Sequence, residues 1–314
     1  MKLITDIIEE SKHLKASVAT IGFFDGVHRG HCFLLKKVCE IAKARSLNSM
    51  AITFPLHPRM VMQSDYIPRL LTTFEEKCHL LSTTGVKTCI ALPFTRELAM
   101  LSAYEFMRLI LRDFLHIKVL LIGYDHRFGH NRSEGFEEYV RYGKELGIEV
   151  IQATPFSWNN VQISSSIVRN LLTKGDVRMA SECLGYNYFM SGTVIGGHQI
   201  GRTLGFPTAN LQMEDSLKLI PKDGVYAVHV YYEEKQYQGM LNIGFRPTIN
   251  EDDSRTIEVH LLQFEGNLYA KKLRIDFVER IRGEQKFLNR QALVHQLTLD
   301  ADACIKIFKA ELNA

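Results

Sequence analysis

The sequence predicts an α/β domain on a parallel sheet, followed by a small, mostly antiparallel β domain closed by a C-terminal helix. Three observations carry this. The 314 residues exceed one ordinary core and suit about two domains. Through the first half, short apolar strands alternate with amphipathic helices, the pattern of a parallel sheet covered on both faces. After about Gly185, strand-like runs separated by turn signals take over, and helical periodicity returns only near the end. The division is therefore drawn between a first domain, residues 1–184, and a second, residues 185–314.

Each element has its own signal. "SVATIGFF" and "NSMAITF" are rich in β-branched and aromatic residues and read as strands, with "HCFLLKKVCEIAKARSL" at helical spacing between them. "TTFEEKCHLLSTTG" reads as a helix with Thr72 or Thr73 as N-cap and Gly85 as its stop. "KTCIALPF", "KVLLIG" and "IEVIQAT" read as strands; "SAYEFMRLILRDFL" and "EGFEEYVRYGKELG" read as helices. In the second domain, "YFMSGTVIGG", "GVYAVHVYY", "KQYQGMLNIG", "TIEVHLLQF" and "KKLRIDFVERI" are strands, and "NRQALVHQLTLDADACIKIFKAEL" is the closing helix.

Composition narrows the function classes. Hydrophobic content of 46% and charged content of 23% describe a soluble globular chain. A net charge of +3, with Lys and Arg scattered, gives no case for nucleic acid. No apolar run approaches the roughly 20 residues that cross a bilayer. The N-terminus has no secretory apolar region, so a cytoplasmic setting is expected. The six cysteines show neither a C-x-x-C pair nor zinc spacing, which predicts buried free thiols.

The stretch "IGFFDGVHRGH" sets two imidazoles, His28 and His31, just after a glycine-punctuated turn. Gly22 ends the strand, Gly26 and Gly30 allow the turn, and the helix is expected to start near His31. A helix start presents free N–H groups and a positive dipole end, which attract phosphate. Two histidines so placed could donate to oxygens that gain charge during phosphoryl transfer. Downstream, "ISSSIVRNLLTKGD" puts Ser164, Ser165 and Ser166 before an apolar-periodic helix, one as a natural cap and the others able to bond phosphate. Arg169, about a turn later, could neutralise a departing pyrophosphate.

In the second domain, "GTVIGGHQIGRTLGFPTANL" supplies Gly196, Gly197 and Gly201 for close approach to phosphates. If the chain after Pro207 is extended, Thr208 and Asn210 point to one side, and two neutral oxygens suit Mg²⁺ beside a substrate phosphate. In "TIEVHLLQF", Ile257, Val259 and Leu261 form one face and Thr256, Glu258 and His260 the other. Alternation makes Glu258 a polar-face residue and nothing more.

The first set of motifs resembles the nucleotidyltransferase superfamily with the H-x-G-H signature. More narrowly, "GFFDGVHRGH", "TFPLHPR", "GYDHRFG" and "ISSSIVR" are similar to the adenylyltransferase half of the bacterial bifunctional riboflavin kinase/FAD synthetases. "GRTLGFPTANL", "DGVYAV", "LNIGFRPT", "IEVHLLQFEGNLY" and "IRGEQKF", in that order, resemble that family's kinase module. The resemblance implies a Rossmann-like nucleotidyltransferase domain and a Greek-key β-barrel with a terminal helix. It implies ATP in the turn of Gly22, Phe23, Asp25 and Gly26, with His28 and His31 on its phosphates and Ser164, Ser165 and Arg169 across the same nucleotide. It places Asp125 against the flavin. At the kinase site it implies a flap through Gly197 and Gly201, Mg–ATP on Thr208 and Asn210, and Glu258 as general base. Riboflavin, FMN, FAD and ATP are the implied small-molecule partners, Mg²⁺ the implied cofactor, and no protein partner is implied. Two other readings stay open at this point: a chain with only the kinase site active, and a flavin-binding regulator with inactive sites.

Overall fold

The computed structural model describes every residue except 11–12, 64, 125, 159–160, 198–199, 246–254 and 313–314. The internal contacts divide the chain into two compact units, Met1–Ser165 and Ser166–Ala314.

The first unit holds strands β1 (Lys2–Ile4), β2 (Ser17–Ile21), β3 (Asn48–Thr53), β4 (Thr88–Ala91), β5 (Ile117–Ile122) and β6 (Glu149–Gln152) in one sheet of order β1-β4-β3-β2-β5-β6. Every pairing in it is parallel. Its helices are α1 (Ile7–Glu10), α2 (Arg29–Ala44), α3 (Pro58–Met62), α4 (Phe74–Ser82), α5 (Arg96–Met100), α6 (Ala103–Glu105) and α7 (Phe136–Leu146). Side chains alternate across the sheet, as strand geometry demands. Ala19, Ile21, Met50, Ile52, Leu120 and Ile122 pack on one face. Val18, Ala51, Cys89, Val119 and Leu121 pack on the other. Both faces are buried, which explains strands that read as continuous apolar runs.

The helix signals resolve as expected at α4. Thr73 caps it in a reciprocal capping box with Glu76, and Gly85 follows with φ +85°. The helix predicted over 102–115 divides. Ser102 caps α6, and Phe106–Phe114 continues as a π-helix, with Leu115 N donating to Ile110 O five residues back. The wider turn keeps Phe106, Met107 and Leu111 all on the core side. Strand β1 and a short hairpin, β7 (Ser157–Trp158) with β8 (Val161–Gln162), carried too few apolar residues to be read in advance.

The second unit takes in nearly all of α8 (Ser165–Lys174), then α9 (Val177–Leu184), β9 (Phe189–Ile195), α10 (Ile200–Thr203), β10 (Ala209–Met213), β11 (Gly224–Tyr232), β12 (Lys235–Phe245), β13 (Arg255–Leu261), β14 (Lys272–Arg282) and α11 (Arg290–Leu312). The six strands close into an antiparallel barrel of order β10-β13-β12-β11-β14-β9. Strands β11 to β14 lie in spatial order β14-β11-β12-β13, a Greek key. Leu241, Ile243, Ile257 and Val259 are buried along β12 and β13. Helix α11 buries Asp300, Cys304 and Phe308 at four-residue intervals, one stripe of its surface. Asp300 is paired there with Arg282 of β14 through a two-pronged contact. Residues 166–184, assigned to the first domain from sequence, share their contacts with the barrel. Lys222 N donates to Leu172 O, and a Cβ on Gly175 would meet the Arg280 side chain.

The six cysteines form no disulfide, and the expected burial holds for part of them. Cys89, Cys183 and Cys304 are buried, whereas Cys32 is exposed. Among the described residues, no helix is long and apolar enough to cross a membrane.

Candidate functional sites

The first site forms where the parallel sheet changes winding direction. From β2 the chain proceeds outward through β3 and β4 on one side, and β5 and β6 extend the other. The loops leaving β2 and β5 must therefore diverge, and the crevice between them is where open α/β sheets bind ligands. "GFFDGVHRGH" leaves β2, and "GYDHRFG" leaves β5. Asp125, in the latter, lies outside the described residues.

The turn after β2 is tightly constrained. Gly22 N donates to Ile52 O, and a Cβ on Gly22 would sit 3.0 Å from the Phe24 ring. Phe24, Gly26 and Val27 all have positive φ (54°, 77° and 34°). For the two non-glycines this conformation costs on the order of 1–3 kcal/mol each and needs support from its surroundings. Asp25 provides it. Its buried carboxylate accepts from Leu71 N (2.9 Å), Thr72 N (3.1 Å) and the Thr72 hydroxyl (3.2 Å), while Gly26 N donates to Thr72 Oγ1 (3.1 Å). Asp25 thus faces the backbone at 71–72 and holds the turn's shape.

Helix α2 starts at Arg29, two residues before the expected His31, because His28 caps it: Nδ1 accepts from His31 N at 3.3 Å. Gly30 is accordingly helical. What it provides is room, since a Cβ there would lie 3.2 Å from the His28 ring. The rings of His28 and His31 stack at 3.6 Å between centroids, so the two imidazoles do come together. His31 Nδ1 is enclosed and has no hydrogen-bond partner among the described residues. Burial, then the neighbouring His28 and Lys77, hold the His31 pKa well below the ordinary histidine value. The Ser-rich stretch joins this turn, with Ser165 Oγ donating to Asp25 O at 2.9 Å. Ser164 directly precedes α8, and Arg169 lies one turn beyond Ser165, within the second unit.

Lys77 escaped the sequence reading. Only 2% exposed, it donates to Phe54 O at 2.8 Å and stands 3.9 Å from the centre of the Phe23 ring. Burial lowers its pKa to about 8, and the nearby Asp25 partly offsets that fall. The available signal was a cation on the apolar stripe Phe74, Lys77, Leu81 of α4.

In the barrel, β10 begins just after Pro207, and Asn210 pairs with Glu258 directly across on β13. Thr208 Oγ1 donates to Glu258 Oε2 at 3.2 Å. The three residues singled out from sequence are thus brought together, with Ile257, Val259 and Leu261 buried on the opposite face as the alternation predicted. The glycines press on the same group. A Cβ on Gly197 would collide with the Asn210 amide, and one on Gly201 with Phe206 O. Two cavities meet at Thr208. One, of about 840 Å³, is lined by Gly196, Gly197, Arg202, Asn210, Phe264 and Tyr269, among others. The other, of about 330 Å³, includes Phe206, Glu258, His260, Arg282 and Leu297. His260 was read as a face-mate of Glu258 without a role. Its Nδ1 lies 2.7 Å from Pro207 O, and a carbonyl only accepts, so Nδ1 carries the proton and pins the turn ahead of Thr208.

Thr208 and Asn210 offer hard, neutral oxygens beside a carboxylate, a donor set that fits Mg²⁺. Among the described residues, no group of three or more His, Cys, Asp or Glu is arranged to hold a metal.

Residues 10–167 match the FAD synthetase family and residues 184–308 the riboflavin kinase family. A bifunctional riboflavin kinase/FMN adenylyltransferase from Escherichia coli K12 is 36% identical over 302 residues, covering 96% of each chain. The protein of that description from Buchnera aphidicola subsp. Acyrthosiphon pisum is 33% identical over 315 residues and covers both chains completely. A Streptococcus pneumoniae crystal structure described as a macrolide-efflux protein superposes with a TM-score of 0.87, is 29% identical, and covers 97% of this chain and 99% of its own. With both modules in order and whole-length relatives above 30% identity, the chain belongs to the bifunctional riboflavin kinase/FMN adenylyltransferase family.

Proposed function

We infer that the chain carries out two successive transfers: riboflavin and ATP give FMN and ADP, and FMN and a second ATP give FAD and pyrophosphate. At the barrel site, Glu258 accepts the proton of the ribityl 5′-hydroxyl as its oxygen bonds to the γ-phosphorus and the bond to the β–γ bridging oxygen breaks. Thr208 holds the carboxylate in place through its 3.2 Å hydrogen bond. Thr208 and Asn210 would hold Mg²⁺, which when bound neutralises phosphate charge. The cavity bearing Gly197 and Asn210 takes the nucleotide, and the one bearing Glu258 takes riboflavin.

At the other site, a phosphate oxygen of FMN attacks the α-phosphorus of ATP. The turn from Gly22 to Gly26 and the start of α2 bind the nucleotide. His28 and His31 donate to the phosphates, and Ser164, Ser165 and Arg169 complete the set. Asp125 keeps the flavin-facing role that family resemblance implies. The domain limits 1–184 and 185–314 and a cytoplasmic setting belong to the same proposal.

The observation that carries this reading is the Thr208–Glu258 contact with Asn210 opposite, the arrangement needed to deprotonate an alcohol beside Mg–ATP. Incubation with riboflavin, ATP and Mg²⁺ should yield FMN and FAD on chromatography. Glu258→Gln should lower riboflavin phosphorylation by about 10²–10⁴-fold at unchanged riboflavin affinity, with FAD synthesis from supplied FMN intact. Normal phosphorylation by this variant would remove Glu258 from the chemistry.

A further inference from the structure

We propose that Asn242 binds the ribityl chain of riboflavin and presents its 5′-hydroxyl to Glu258. The inference rests on the kinase reading of the barrel and adds a residue to it. The strand register leads to it. Glu258 has two direct cross-strand partners, Asn210 on β10 and Asn242 on β12. Side chains directly opposite stand about 4.5–5.5 Å apart at Cβ, so Asn210, Glu258 and Asn242 form one row across three adjacent strands. The row runs from one cavity to the other. Asn210 lines the larger one, while Asn242 and Glu258 line the smaller.

Burial fixes the face. Leu241 and Ile243 are completely buried, so alternation turns Asn242 to the opposite side, the side of Glu258. The smaller cavity combines apolar walls, Phe206, Leu293 and Leu297, with a polar floor. Such a lining fits an amphipathic ligand whose ring system meets the walls and whose hydroxyls meet the floor.

Amide chemistry suits this position. A hydroxyl whose proton goes to Glu258 can still accept a hydrogen bond, and a carboxylate cannot supply one. The Asn242 NH₂ can, and its carbonyl can accept from the next hydroxyl along the chain. A hydroxyl held between the two has its orientation set before the phosphorus arrives, and such positioning is worth much of a transfer reaction's rate.

The test uses the full-length protein and separates this role from a structural one. Asn242→Ala should lower kcat/KM for riboflavin about 10–100-fold, the loss expected for one or two hydrogen bonds in a closed site, while the KM for ATP stays at the wild-type value. Asn242→Ser keeps a side chain that can both donate and accept, so it should recover most of that loss. FAD synthesis from FMN should match wild type in both variants, as expected for a change confined to the second unit, and the unchanged KM for ATP in phosphorylation shows that the barrel is folded. Wild-type kcat/KM for riboflavin in Asn242→Ala, or no recovery in Asn242→Ser, overturns the proposal. If Glu258→Gln is inactive while the Asn242 variants are normal, only this inference fails. If Glu258→Gln is also normal, the kinase reading fails with it.

Discussion

His28 caps α2 through Nδ1, and that settles which nitrogen can donate. An acceptor at Nδ1 leaves the proton of the neutral ring on Nε2, the nitrogen that would donate to a phosphate in the proposed reaction. His28→Ala should therefore remove a transition-state donor and lower FAD formation by on the order of 10²–10³. Riboflavin phosphorylation should stay at the wild-type rate, because Glu258 and its partners belong to the other unit. Unchanged FAD synthesis would make the histidine pair structural. His31 bears on stability. The folded state resists its protonation, whereas the unfolded imidazole titrates near 6.5. Above that pH both states are neutral and the residue adds no pH dependence. As pH falls below about 6.5 the unfolded state binds a proton that the folded state refuses, and stability drops until the depressed folded pKa is reached. The melting temperature should decline from pH 7 to 5.5, with a shallower slope in His31→Asn; identical slopes would show that His31 is open to protonation.

Among the elements, the loop ahead of β10 depends on absent side chains. Gly197 packs where a Cβ would enter the Asn210 amide. Gly197→Ala should push Asn210 out of register with Glu258, and displacement of about 1 Å commonly costs ~10²-fold in rate. FMN formation should fall by that order with FAD synthesis from FMN retained. A variant with normal kinase activity would show that the loop moves away before ATP binds. Helix α4 illustrates the same dependence from the other side. Its capping box fixes where the helix begins, and that in turn places Lys77 beneath Phe23 and beside Asp25. A helix signal read for its length thus also determines what supports the turn after β2.

For the whole molecule, the division between units decides which fragments stand alone. Val177, Ala180, Cys183 and Leu184 of α9 are buried, and Tyr188 N donates to Ser181 Oγ. Each such apolar side chain contributes roughly 1.5–3 kcal/mol when buried, against a total stability of about 5–15 kcal/mol for a typical domain. A fragment of residues 166–314 should fold and make FMN but no FAD. One of residues 185–314, lacking α8 and α9, should melt at a clearly lower temperature. Equal melting temperatures would show that α8 and α9 add nothing to the barrel's stability, and FAD from either fragment would overturn the assignment of activities.

Local signals were enough for the class of each half. Alternation put Glu258 on the face opposite Ile257 and Val259, periodicity and caps set α4, and glycine-punctuated motifs marked both sites, because these properties depend on residues within one or two turns of each other. Tertiary structure alone decided the rest. The helix start at Arg29 follows from a ring folding back on its own backbone. Asp25 became the brace of the turn after β2 because Leu71 and Thr72, 46 and 47 residues away, bring their N–H groups to it. Asn210 and Asn242 flank Glu258 because barrel closure sets one register across three strands. The sequence by itself determines which side chains can do the chemistry, since that is a matter of residue type and short spacing. Which of them meet is decided by the sheet winding and the barrel register, since pairings between distant segments gain their energy only once the whole core has closed.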